Sequence, residues 1–194
     1  MKEIREILAD LSEGRAVAAK ALQLPLLRRP DPPEGVLLFL KEKEQWRLAS
    51  SRRLQEGMLL VCDIGVEVPV QLESLRCADA TDFKLDIKLL VSVDRDSLDT
   101  LCSDLLTARE EVDIALLQRL TKEALLPCLR GHFERMDARS LFFGAEGENA
   151  IQSAVREASE RLCFKYGLLL RQVVSVRFGG AAYEELRRVE EEAE

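Results

Sequence analysis

The chain is 194 residues long, 47% hydrophobic and 32% charged, with a formal net charge of −7. It has enough apolar content for a buried core and enough charge to stay in water, which excludes a globally disordered chain. The acidic balance excludes nucleic acid as the main partner, because phosphate binding needs a basic surface.

Taken in chain order, Lys2 to Leu22 reads as an amphipathic helix, with Ile4, Ile7, Leu8, Leu11 and Leu22 on one stripe and Gly14 as a weak point within it. Residues 1–30 hold six basic and four acidic side chains, a balance of +2, which leaves −9 for residues 31–194. The stripe, with Arg28 and Arg29 beside Leu24, Leu26 and Leu27, is the candidate interaction surface: it must pack on its own domain, on a second subunit or on an anionic membrane, and the second subunit is the leading expectation. Pro30–Asp31–Pro32–Pro33 is a stiff break, so residues 1–30 are expected to form a helical arm attached to a domain over 31–180.

Val36–Leu40 and Trp46–Ala49 read as a hairpin, and Gly57 opens a further strand, Met58–Cys62. Val66, Val68, Val70 and Leu72 alternate with polar residues, and Pro69 predicts an edge or a bulge because it cannot donate to a ladder. From Phe83 to Val93 nearly every second residue is apolar, which requires a long strand with one wet face. Helices are expected at about Ser97–Thr107, capped by Asp94 or Asp96, and at Glu111–Leu126, ended or kinked by Pro127. Glu148–Tyr166 is the clearest helix, with Ile151, Ala154, Val155, Ala158 and Leu162 on one face. Arg156–Glu160 and Glu157–Arg161 are placed to pair on the other. Gly167 stands where a left-handed cap belongs, the strand Leu168–Phe178 follows, and residues 181–194 begin an acidic helix. The expected fold class is α+β: a small antiparallel or mixed sheet packed against three main helices, with the amphipathic arm at the N-terminus.

The unit Glu148–Phe178, a helix closing in Tyr166–Gly167–Leu168 with a strand Leu170–Val176 directly after it, resembles the closing unit of the stomatin–prohibitin–flotillin (SPFH, or band 7) family. Val66–Val93 is similar to that family's paired long strands, and the helices at Ser97–Thr107 and Glu111–Leu126 stand where its middle helices would be. The resemblance spans about residues 34–185. It implies a non-catalytic scaffold that forms homo-oligomers, binds protein partners and makes peripheral contact with a membrane. The family's N-terminal membrane hairpin has no counterpart in this sequence, and its long C-terminal helix would be starting at Glu194.

Chemistry-bearing residues are few. Cys62, Cys77, Cys102, Cys128 and Cys163 are odd in number and widely spaced, which predicts free thiols in a reducing, cytoplasmic setting. His132, the sole histidine, lies four residues after Cys128, the one pair that a hydrolase could use. No third group is identifiable to orient the imidazole, so the expectation is that the chain is not an enzyme and has no catalytic residues. No ligand spacing for a metal and no cofactor motif is present, and none is expected. Scaffold is thus the leading expectation. A soluble adaptor binding a single protein partner is the alternative, and a hydrolase using Cys128 and His132 the third.

Overall fold

In the computed structural model, which describes residues 2–21, 30–51 and 53–193, two elements replace the expected N-terminal helix. Helix α1 runs only over Ile4–Ser12, and Ala16–Lys20 is strand β1. Gly14 causes the change. It adopts φ +70°, and its N–H and that of Arg15 turn back to the carbonyls of Leu11 and Asp10, at 3.4 and 2.7 Å. This is a Schellman stop, in which a left-handed glycine satisfies the last helical carbonyls. The alanine-rich β1, helical by propensity alone, is drawn into a sheet by tertiary burial: Ala16, Val17, Ala18 and Ala19 are wholly buried.

The further elements, in chain order, are β2 (Val36–Glu42), β3 (Gln45–Leu48), β4 (Leu59–Cys62), β5 (Val66–Arg76) and β6 (Asp82–Val93). After a single 3-10 turn come α2 (Leu98–Asp104), β7 (Glu111–Asp113), α3 (Ile114–Phe133), α4 (Ala138–Phe143), α5 (Ala145–Lys165), β8 (Leu168–Gly179) and α6 (Ala181–Ala193). The fold is α+β, with two antiparallel sheets of five and three strands. Their orders are β3-β2-β4-β1-β7 and β5-β6-β8. The described chain divides into two compact units, the first made of residues 1–68, 90–117 and 163–171, the second of residues 69–89, 118–162 and 172–194. Residues 2–21 therefore belong to the first unit, together with residues 30–51 and 53–68.

In the first unit β1 pairs with β4 (Ala18 opposite Val61) and with β7 (Ala18 opposite Val112), so the Ala-rich strand is an interior one. Helix α1 packs on β1, β4 and β2, and its stripe of Ile4, Ile7, Leu8 and Leu11 is buried there. Each such side chain contributes about 1.5–3 kcal/mol. These four residues are thus core, so of the three expected partners their own domain takes them rather than the favoured second subunit. Leu22, Arg28 and Arg29 lie outside the described residues. Lys2 fastens the helix by donating to Asp10 (2.7 Å) and to Glu111 of β7. Those two hydrogen bonds raise the Lys2 pKa well above the ordinary lysine range. Burial alone would raise the Asp10 pKa, but the bonds from Lys2 and Arg15 outweigh it and hold the carboxyl below the usual range.

At the start of β8, Gly167 (φ +67°) passes so close to the α2 turn that a Cβ would lie 2.5 Å from the Ser97 carbonyl oxygen. Asp94 caps that turn, its carboxylate accepting from Asp96 N–H at 3.1 Å and from the Ser97 hydroxyl at 2.7 Å.

The second unit is built on aromatic residues. Phe83 on β6 meets Phe133 (4.8 Å between centroids), Phe142 (5.2 Å) and Phe178 (5.8 Å), all edge-on. Tyr183 of α6 closes on Phe142 at 5.1 Å. The alternation read from the sequence holds in β6, where Phe83, Leu85, Ile87 and Leu89 are buried and Lys84 and Asp86 exposed. Helix α3 runs through Pro127 instead of ending there. Leu125, Leu129 and Phe133, each fully buried on one side of the helix, offset the hydrogen bond that proline cannot donate.

Candidate functional site

Cys128 and His132 both fall on α3, one turn apart, with Cys128 half-buried and His132 exposed. Among the described residues His132 makes no side-chain hydrogen bond, so nothing orients its imidazole for proton transfer. No group of three or more His, Cys, Asp or Glu residues able to hold a metal ion occurs among the described residues. The Cys77 thiol is pushed up to about 12 by burial and by the carboxylates of Asp79, Asp137 and Asp82, so it carries no thiolate at neutral pH. Trp46 is half-buried on the β2–β3 hairpin, its indole N–H donating to Asp99 at 3.1 Å. No helix of the described residues is long and apolar enough to cross a membrane.

Two features of the second unit stand out. The first is the pair of edges of the three-stranded sheet, β5 and β8. Exposed edges invite pairing by other chains, and proteins guard them with proline, charge, bulges or covering groups. The β5 edge has all four. Pro69 donates nothing, and its carbonyl accepts from Gln118 Nε2 of α3 at 2.7 Å. Glu73 adds charge, and Ser74 breaks the strand geometry with φ +55°. Pro69 was legible as an edge signal, and β5 is indeed an edge strand.

The β8 edge has none over Gln172–Val176, a run without charge, proline or glycine. Val174 remains 40% exposed. Beside it lies a groove of about 290 Å³ floored by Val173–Val176 and walled by Asn149, Gln152, Ser153 and Arg156 of α5. These four recur at three- and four-residue spacing, so they form one stripe of the helix. Arg156, expected to pair with Glu160, makes no ion pair among the described residues. The expected Glu157–Arg161 pair is also not made, because Arg161 Nε donates to the Glu157 backbone carbonyl at 3.3 Å instead. A helix set alongside an open strand is a geometry that accepts an extended segment as an added strand.

The second feature is a trough of about 750 Å³ on the polar face of the same sheet. Gln71 of β5, Asp86 and Lys88 of β6 and Ser175 and Arg177 of β8 contribute to it, and α3 adds Gln118, Arg119 and Lys122. It holds four cations and one carboxylate on a chain of net charge −7. Arg119, Lys122 and Arg177 are exposed and make no ion pair or hydrogen bond among the described residues.

Neither feature was singled out in the sequence. The β8 run was readable as a strand, and the lack of any guard in Gln172–Val176 was the signal that it has an open side. The trough draws on segments more than a hundred residues apart, and only the alternating Lys84, Asp86 and Lys88 hinted at a charged sheet face. Compared with protein-family models and with curated proteins, the chain matches none of them.

Proposed function

We propose that the protein is a non-catalytic scaffold that assembles into homo-oligomers by strand addition at β8. The observation that carries this reading is the contrast between a fully guarded β5 edge and an unguarded β8 edge in one sheet. An exposed strand of β-branched residues with unpaired backbone groups is a liability unless another chain covers it. A second copy fits well in antiparallel register centred on Ser175. Val174 then faces Val176 in both directions, and Arg177 faces Val173 rather than another arginine. Cross-strand aliphatic pairs of this kind each contribute roughly 0.2–1 kcal/mol beyond the backbone bonds.

The SPFH resemblance agrees with this reading, since the helix–Gly167–strand unit that carries it is the unit that supplies both groove and edge. A cytoplasmic location is part of the proposal, supported by five free cysteines of which three are buried. Light scattering on the eluting full-length chain tests the assembly. The expected mass is a multiple of 21.9 kDa, falling to 21.9 kDa in Val174→Lys, which places a charge on the open edge. A wild-type mass of 21.9 kDa at every concentration would overturn the reading.

A further inference from the structure

The geometry points to a second site: we propose that the trough on the polar face of β5, β6 and β8 binds a ligand carrying two or more phosphate groups. The inference is independent of strand addition at the β8 edge.

The argument starts from charge. On the same sheet Lys84 pairs with Glu73 at 3.4 Å and Arg76 with Asp82 at 3.0 Å. Arg119, Lys122 and Arg177 find no carboxylate among the described residues, yet they converge on one concavity with Lys88. Walls of low polarisability focus the field of such a cluster on whatever enters it. Guanidinium forks bind phosphate through paired hydrogen bonds, and lysine adds a point charge. Gln118, held by its bond to the Pro69 carbonyl, adds amide character to a rim that is already fixed in place.

Size argues for more than one phosphate. Arg119 and Lys122 stand one helical turn apart on α3, on the β5 side, and Arg177 stands on β8. From β5 to β8 is two strand spacings, about 10 Å. A compact ligand with phosphates on opposite sides engages both at once. No aromatic side chain lines the trough, so it offers no platform for a nucleobase. Asp86 opposes any anion that enters, which makes it a useful probe.

Such a ligand could be free in solution or be the headgroup of a lipid. Isothermal titration of the full chain with inositol hexakisphosphate tests the site, with inorganic phosphate as the single-phosphate comparison. Wild type should bind the hexakisphosphate at least tenfold more tightly than inorganic phosphate. Binding should weaken about tenfold, or 1.4 kcal/mol, in Arg119→Gln/Lys122→Gln and in Arg177→Gln. Asp86→Asn should bind several-fold more tightly, and added salt should weaken all of them. Co-sedimentation with phosphatidylcholine vesicles, with and without phosphatidylinositol bisphosphate, separates the sources. Capture that needs the bisphosphate and the arginines assigns the lipid, and binding confined to the free compound assigns the soluble ligand. Absence of binding, equal binding by every variant, or equal affinity for polyglutamate would overturn the proposal. The substituted side chains are exposed, and a circular dichroism melt of each variant verifies that it is folded.

Discussion

The two edges of the three-stranded sheet are built from the same kind of strand and treated in opposite ways. β5 ends its pairing with Pro69, a charged Glu73, a left-handed Ser74 and the amide of Gln118 laid on its backbone. β8 presents Gln172–Val176 with no such device, next to a polar stripe of α5. Edge protection is widespread, and the strand-addition proposal rests on its presence on one side of this sheet and its absence on the other. The apolar stripe of α1, by contrast, serves only the core of the first unit.

Both edges rest on one aromatic core, so the most damaging change should remove its centre. Phe83→Ala deletes the ring that meets Phe133, Phe142 and Phe178. It should cost about 3–5 kcal/mol in urea unfolding, and a loss under about 1 kcal/mol would mean the sheet is held by something else.

The next largest effect separates core from interface. Leu11→Ala in α1 should cost about 2–4 kcal/mol and leave the mass in solution unchanged, because Leu11 is fully buried within its own unit. A changed mass with unchanged stability would restore the stripe as an interaction surface and weaken the case for β8.

A smaller effect concerns the turn that joins β5 to β6. The Asp79 carboxylate accepts the backbone N–H of Ala138 at 3.1 Å and that of Thr81 at 3.2 Å, and the first of these chiefly holds its pKa below the ordinary value. A depressed carboxyl stabilises the fold above its unfolded pKa of about 3.9, and that stability is lost as pH falls through the lower folded value. The urea midpoint should therefore be steady from about pH 7 to 5 and decline below about 4. Asp79→Asn should show a shallower acid decline. An identical acid profile in both proteins would remove Asp79 from the account.

Much of the second unit was legible because its signals are local. The alternation from Phe83 specified β6 and its buried face, and Pro69 marked an edge. The first unit was harder. Residues 15–20 have the composition of a helix, and only Gly14 distinguishes a helix that stops from one with a weak point. Three-residue β7 is too short for any periodicity, and it forms because β1 needs a second partner. The split of the strands into two sheets is set by tertiary pairing, as is the trough, whose cations come from β6, α3 and β8. Arg156 shows the limit of spacing rules: four residues from Glu160, it leaves that partner and faces the groove.

Disulfide trapping at the two-fold position tests the central claim most directly. In the proposed register Ser175 of one copy lies opposite Ser175 of the other, at the 4.5–5.5 Å Cα separation of directly paired antiparallel residues, within reach of a disulfide. Mild oxidation of Ser175→Cys should give a covalent dimer of twice 21.9 kDa that wild type, with its native cysteines, does not form. Adding Val174→Lys should abolish it. If Ser175→Cys remains monomeric under oxidation while cysteines placed on β5 cross-link, the open edge is not β8 and the account fails.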